Sequence, residues 1–355
     1  MMLKNKKIII ALSIIPQFLI VKLLSFYPNI VETYYSNGLY PFISKASRYV
    51  FGWIPFSIGD ILYTIAGIYI IRWLFINRKR LVKDTKFWFV DVFSAISILY
   101  FAFHIFWGMN YYRLPVHKSL NIENTYTTEE LITVTEKLIK KSNIVHFKIT
   151  KNDTLKVKMP YSKKELLSKT TNGYDALTQV YPQLEYKPKS IKISLYSLPL
   201  TYMGFSGYLN PFSNEAQIDG LIPLYQYPTT ACHEEAHQLG YAAENETNFI
   251  GGLATIHNED IYFQYSGYIF ALKHCLNEIY KRDKDIHKSL VSKINKGILL
   301  NYKESYTFWK SYQNPLEPLF KNTFNSFLKA NNQKKGIESY SYAVALFVNY
   351  FNAQL

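Results

Sequence analysis

The 355-residue chain carries 40 Lys and Arg against 26 Asp and Glu, a formal net charge of +14, and is long enough for one large domain or two. Its two cysteines, Cys232 and Cys275, exclude a disulfide framework and a four-cysteine zinc site. The basic residues are spread along the sequence, with no glycine-rich phosphate loop and no basic patch interleaved with stacking aromatics. No nucleic-acid partner is therefore expected, and the charge instead suits a surface near anionic lipid.

Residues 1–112 read as a transmembrane region. Residues 8–26 are apolar apart from Gln17 and Lys22 and follow Lys4, Lys6 and Lys7. The bulky stretch Ser25-Phe26-Tyr27-Pro28 offers no small-residue cleavage site, so an uncleaved anchor is expected rather than a signal peptide. A second apolar run, 56–76, is interrupted only by Asp60 and Arg72 near its ends. A third, 87–109, contains Asp91 and His104, which are expected to snorkel or to pair within the bundle. Each run approaches the ~20 residues that cross a bilayer. The loop 77–86 holds Arg78, Lys79, Arg80, Lys83 and Lys86, whereas 28–55 holds only Lys45 and Arg48, partly offset by Glu32. Basic loops stay in the cytoplasm. The chain is thus expected to emerge outside a cytoplasmic membrane after Met109, with Trp107, Tyr111 and Tyr112 at the outer interface.

Residues 113–224 read as a mixed α/β part. Thr127 to Ile144 is an amphipathic helix, with Thr127 or Thr128 as cap and Glu129 and Glu130 in its first turn. Residues 146–159 alternate and predict a hairpin turned at Asn152-Asp153. A helix over 162–180 is interrupted at Asn172-Gly173, and 190–198 alternates as a strand. Residues 204–218 are punctuated by Gly and Pro and then extended. From Tyr225 to the end the chain is helical, with breaks near Gly240, Asn258, Asp283, Asn314-Pro315 and 333–336.

The chemistry lies at the start of that helical part, in His233-Glu234-Glu235-Ala236-His237. On a helix, His233 and His237 are one turn apart and point from one face, which gives two ligands for one zinc ion. Glu234 then sits beside the open metal position as general base. Pro228-Thr229-Thr230 marks a helix start, with a Thr cap. Gly240 allows a left-handed turn, after which the chain can fold back and present Glu244 or Glu246 as a third ligand. Those two lie two residues apart and face different ways. Cys232 points about 100° round the helix from His233 and reads as a packed thiol. His257, Tyr265 and Tyr268 are the candidates for stabilising an oxyanion. The segment 221–244 is too polar to be a membrane span, so the site belongs to a water-accessible domain. A di-iron oxidase would need a second Glu-x-x-His, and Glu234 is the only Glu in the chain with His three residues later.

The spacing Glu244-x-x-x-Asn248 resembles that of thermolysin-like peptidases, the gluzincins. The resemblance implies Glu244 as ligand and Asn248 as the residue that orients a ligand histidine, with Glu246 the alternative. It also implies that Glu215, Ala216 and Gln217, just before the zinc helix, form an edge strand that pairs with extended substrate, Glu215 alternatively approaching the metal. More widely, the chain is similar to the bacterial membrane-protein family catalogued as domain of unknown function 3810. The similarity runs through Trp53 to Gly59, Gly207 to Ala216, His233 to Gly240, Glu244 to Phe249, Tyr265 to Tyr268, Phe327 to Asn331 and Gly336 to Tyr340. The family pattern has Ala at the position of Thr247 and an uncharged residue at that of Glu235.

These readings converge on an α+β, mostly helical chain. A three-helix transmembrane region precedes an extracytoplasmic gluzincin-like zinc-peptidase domain over 113–355, mixed over 113–224 and helical over 225–355. The expected activity is hydrolysis of a peptide or protein substrate by one zinc ion, anchored at a lipid bilayer. The alternative is an inactive binding or scaffold protein on the same fold.

Overall fold

A computed structural model of the protein describes residues 2–333 and 340–354. Three helices are long and apolar enough to cross a membrane, over Asn5–Leu24, Ile58–Asn77 and Thr85–Phe106, close to the three runs read from the sequence. The first consists of α1 (Met2–Leu12) and α2 (Ile14–Leu24), joined at Ser13. Between the first two spans, residues 28–55 form a π-helical turn over Val31–Leu39 and helix α3 (Tyr40–Phe51). The second and third spans are α4 (Ile58–Asn77) and α5 (Thr85–Phe106).

The spans expose apolar side chains over most of their length and meet through a few polar contacts. Asp91 on α5 pairs with Lys7 on α1 at 2.6 Å and with Arg80 at 3.0 Å. Ser97 lies 3.0 Å from both Ser13 and Gln17. His104 turns its Nδ1 to the Tyr100 carbonyl at 2.9 Å. The polar residues of the third span are thus paired inside the bundle. The basic N-terminus and the basic 77–86 loop meet at Asp91, the end of the bundle remote from Trp107.

The other end is welded to the rest of the protein. Ser57 caps α4 by accepting from Asp60 N at 2.9 Å. Asp60 itself is buried and accepts from Leu195 N at 2.7 Å, Ser194 Oγ at 3.0 Å and the Tyr208 hydroxyl. The acidic residue that interrupts the second apolar run is therefore the point where that span is fastened to the domain. Residues 28–55 are more than a connection, because Tyr40, Ser44 and Arg48 are buried against the domain. Trp107 and Tyr112 are buried too, rather than lying free at a lipid interface, because the domain folds directly onto them.

Helix α6 (Thr128–Thr150) opens with a capping box of Thr127 and Glu130. It continues through the segment read as the first half of a hairpin. Leu138, Ser142, Val145 and His146 form one buried helical stripe, and this outweighs the apparent alternation. The helix stops at Lys151, which is left-handed at φ 54°. Helix α7 (Lys163–Thr178), capped by Ser162 and Glu165, runs unbroken through Asn172-Gly173. There a Cβ at position 173 would lie 1.8 Å from the Ala254 carbonyl oxygen, so the glycine marks a close helix crossing and not a break.

Three short strands follow, β1 (Ile191–Ile193), β2 (Gly207–Asn210) and β3 (Glu215–Ile218). The extended segment expected at 190–198 is shorter than read, since 197–203 turns helical. The sheet order is β1-β3-β2, with β3 parallel to β1 and antiparallel to β2; Ala216 is opposite Ile191 on one side and Leu209 on the other. The Glu215-Ala216-Gln217 strand is therefore central and buried, and both its edges are already paired. It cannot pair with substrate. Glu215 faces Lys192 in a buried ion pair and accepts from Ile58 N at 3.2 Å and Gly59 N at 2.5 Å, so it does not approach the metal position either. The edge strands are β1 and β2, and β2 is the one whose residues line the site cavity.

The helical part comprises α8 (Tyr227–Gln238), α9 (Glu244–Ile256), α10 (Ile261–Arg282), α11 (Lys296–Ser311), α12 (Glu317–Ala330) and α13 (Tyr340–Gln354), with a short helix over Lys284–Ser292. The breaks at Gly240, Asn258, Asp283 and Asn314-Pro315 are all present, and a further one falls at 293–295. The expected break at 333–336 lies, beyond Gln333, outside the described residues, as do Gly336 to Ser339 of the family-like segment. The main core joins α6, α9, α10 and α13 through Leu131, Leu138, Phe249, Leu253, Leu272 and Phe347.

Candidate metal centre

Helix α8 begins at Tyr227, with Pro228 in its first turn, where the missing N–H costs nothing. Thr229 is not the cap; it lies inside the helix and donates to Gln226 O at 3.0 Å. One face of α8 carries His233 and His237, whose rings lie 4.8 Å apart. The chain then reverses at Gly240, left-handed at φ +86°. This brings the Tyr241 carbonyl 2.8 Å from His237 Nδ1. A carbonyl only accepts, so Nδ1 carries the proton and Nε2 is left free as a ligand.

Glu244 is the first residue of α9 and reaches back to both imidazoles. Its Oε2 lies 3.3 Å from His233 Nε2 and its Oε1 3.6 Å from His237 Nε2. Two ligands on one tetrahedral zinc, each at 2.0–2.1 Å, stand about 3.3 Å apart. The donor set and its spacing therefore fit zinc. Glycine makes this closure possible: a Cβ at Gly251 would sit 2.6 Å from His233 N, so α9 lies hard against α8 at the level of the site. His233, Glu234 and His237 also offer three atoms within 4.8 Å of one another. Glu244 is a further candidate ligand, because its oxygens stand at ligand-to-ligand distance from both Nε2 atoms.

The electrostatics follow the geometry. Burial alone would raise Glu244, but the His233 and His237 imidazoles beside it hold it well below the usual carboxylate range. Burial would lower His237, yet Glu244 and then Glu234 lift it to about 9. Burial raises Glu234 to about 7, opposed by the two histidines. Its Oε2 is buried without a partner among the described residues, and its Oε1 lies 2.7 Å from where a Cβ would stand on Gly207. The edge strand β2 thus passes directly over the Glu234 carboxylate.

Glu246 is not a ligand. Its Oε1 accepts from Val116 N at 2.8 Å, on the opposite side of α9 from Glu244. Burial raises it to about 7. Asn248 lines the site cavity, but the contacts to the imidazoles come from the Tyr241 carbonyl and, at 3.5 Å, from the Thr247 hydroxyl. The three expected donors are elsewhere. Tyr265 donates to Asn301 Oδ1 at 2.7 Å inside the core, Tyr268 packs at the edge of that core, and His257 Nε2 meets the Tyr350 hydroxyl at 2.6 Å. The phase of α10 turns Tyr265 and Tyr268 inward and presents Lys273 and His274 to the cavity instead. Burial pushes His274 down to about 4, with Lys273 and His233 adding to the shift. Tyr111 is close enough to Glu244 that the carboxylate opposes its ionisation, though burial contributes more. Neither residue has a local sequence signal, because each reaches the site through tertiary packing.

Glu235, which departs from the usual motif, faces away from the site. It is buried and accepts from Thr170 Oγ1 at 2.6 Å. Burial raises it to about 8, so the position is uncharged near neutrality, as in the usual pattern. Cys232 is a buried packed thiol, as read from its helical position.

A cavity of about 1670 Å³ runs over the centre and along the free edge of β2. A family model described as a protein of unknown function, DUF3810, matches residues 35–348, which include every residue of the centre. No curated protein and no solved structure matches the chain.

Proposed function

The chain belongs to the DUF3810 family, whose description assigns no activity, and from that premise we propose that it is a membrane-anchored zinc metallopeptidase with a gluzincin-like site. The observation that carries this reading is the approach of Glu244 to within 3.3 and 3.6 Å of the two Nε2 atoms, beside Glu234 in an open cavity. His233, His237 and Glu244 hold the metal. Zinc at such a site supplies Lewis acidity, polarising a carbonyl and acidifying water.

The chain's own residues do the rest. Glu234, which faces the cavity beside the two imidazoles, accepts a proton from the attacking water and returns it to the leaving amine. The free edge of β2 holds an extended peptide by its backbone across that carboxylate. Tyr111, which lines the cavity close to Glu244, is the donor assigned to a developing oxyanion. The domain stands on the outer side of a cytoplasmic membrane, a reading supported by the gathering of Lys7 and the 77–86 loop at the far end of the spans.

The test is metal analysis of the full chain purified in detergent, coupled to cleavage of a mixed peptide library with and without chelator. About one zinc per chain, and cleavage that chelation abolishes and added zinc restores, is expected. Zinc without cleavage would point to a binding protein on this fold, and a chain that retains no zinc would end the proposal.

A further inference from the structure

The centre lies at the level where the third span ends. Helix α5 stops at Phe106, and the next residue, Trp107, donates its Nε1–H to the His237 carbonyl at 3.2 Å, its ring 5.9 Å from the His237 imidazole. No intervening stalk or domain lifts the centre away from the spans.

One wall of the cavity is built from the spans themselves. Tyr63 of α4 and Phe103 of α5 line it, together with Tyr208, Phe212, Phe324 and Phe327. These aromatics pack in two groups, one round Tyr63 and one round Phe327. Tyr63 lies 6.5 Å from both Tyr208 and Phe212, and Phe103 lies 6.1 Å from Phe327. Helix α12, which brings Phe327 against Phe103 of α5, also leaves Leu319 61% exposed, and Leu316 just before it 58% exposed. An amphipathic helix in that position suits the bilayer interface. At its other end the cavity is polar, with Lys273, Asn277 and Lys281. The apolar end of the groove is therefore continuous with the lipid-facing surface of α4 and α5, and its polar end points to solvent.

We infer that the substrate is a polypeptide anchored in the same bilayer, whose juxtamembrane segment enters between α4, α5 and α12 and is cut close to the membrane surface. This rests on the peptidase reading above. The segment lies extended along β2, and water adds across one amide: the C–N bond breaks, hydroxyl goes to the carbonyl carbon and a proton to the amine. An extended chain rises about 3.3 Å per residue. A centre in contact with Trp107 thus reaches bonds on the order of two to six residues from the end of an anchor.

The test reconstitutes the full zinc-loaded chain in phosphatidylethanolamine and phosphatidylglycerol vesicles. One randomised peptide library is offered in three forms: soluble, fused directly to a transmembrane anchor, and fused through a stiff proline-rich spacer of about ten residues that lifts it ~30 Å. Cut positions and rates are read by mass spectrometry. In the directly anchored library, cuts are expected to cluster within about six residues of the anchor. The spacer is expected to reduce cleavage of the randomised region at least tenfold, below which the soluble form also falls. Equal cleavage of direct and lifted libraries, with cut positions independent of the anchor, would overturn the inference while leaving the peptidase reading intact. Cleavage of none of the three overturns both.

Discussion

The two faces of helix α8 are built from the same residue types and meet opposite fates. On the back face, Gln238 donates to Ser190 O at 2.8 Å and Asn214 O at 2.5 Å and accepts from Tyr186 Oη at 2.6 Å. Tyr174 donates to the Cys232 carbonyl at 2.5 Å, and Thr170 to Glu235 at 2.6 Å. On the front face, Glu234 opens onto the cavity, and both Glu234 Oε2 and Glu235 Oε2 are buried without a partner among the described residues. A buried polar group without a partner costs roughly 1–3 kcal/mol. Both carboxylates carry such a cost, so their surroundings and not their satisfaction distinguish them. Glu234 and Glu235 are neighbours in sequence and are both raised by burial. What separates them is that one faces two histidines and a carboxylate, and the other faces a threonine.

Exchanging each carboxylate for its amide is the sharpest way to break this comparison. Glu234→Gln should keep its zinc and lower turnover by about 10²–10⁴-fold, the usual worth of a general base. Wild-type turnover in that variant would make the two faces equivalent and remove the role assigned to Glu234.

Glu235→Gln should have the smallest effect, with zinc content and turnover within about twofold of wild type, since the amide keeps an oxygen to accept from Thr170 and lies on the face of α8 away from the imidazoles. Its stability should nevertheless depend on pH. Glu235 has a folded-state pKa raised to about 8 from 4.5, so its contribution is full below the unfolded value and is lost as pH rises through about 8. The amide removes that loss, and the melting temperature of Glu235→Gln should gain on wild type as pH rises over that window. A variant that instead loses its zinc would show that the back face is part of the centre.

The sequence made the metal face legible because it depends on local periodicity. Two histidines one turn apart, a left-handed glycine at 240 and a glutamate soon after it are all short-range features, and the spans are readable from length and apolarity alone. Glu215-Ala216-Gln217 reads as an edge strand because nothing local reveals that both edges of β3 are occupied. The same holds for the oxyanion donors. Tyr265 and Tyr268 lie on the right helix but at the wrong phase, and Tyr111 comes from the end of a membrane span. Gly173, expected as a break, marks a helix contact instead, and a like contact at Gly251 brings Glu244 within reach of the histidines.

The central claim is that His233, His237 and Glu244 converge on one ion while Glu246 does not. Zinc stoichiometry and X-ray absorption of the wild type, Glu244→Gln and Glu246→Gln test it together. Wild type and Glu246→Gln should hold one zinc with two nitrogen ligands at about 2.0–2.1 Å, and Glu244→Gln should release its zinc at a chelator concentration that leaves the other two loaded. Full zinc retention by Glu244→Gln, or loss confined to Glu246→Gln, would contradict the site.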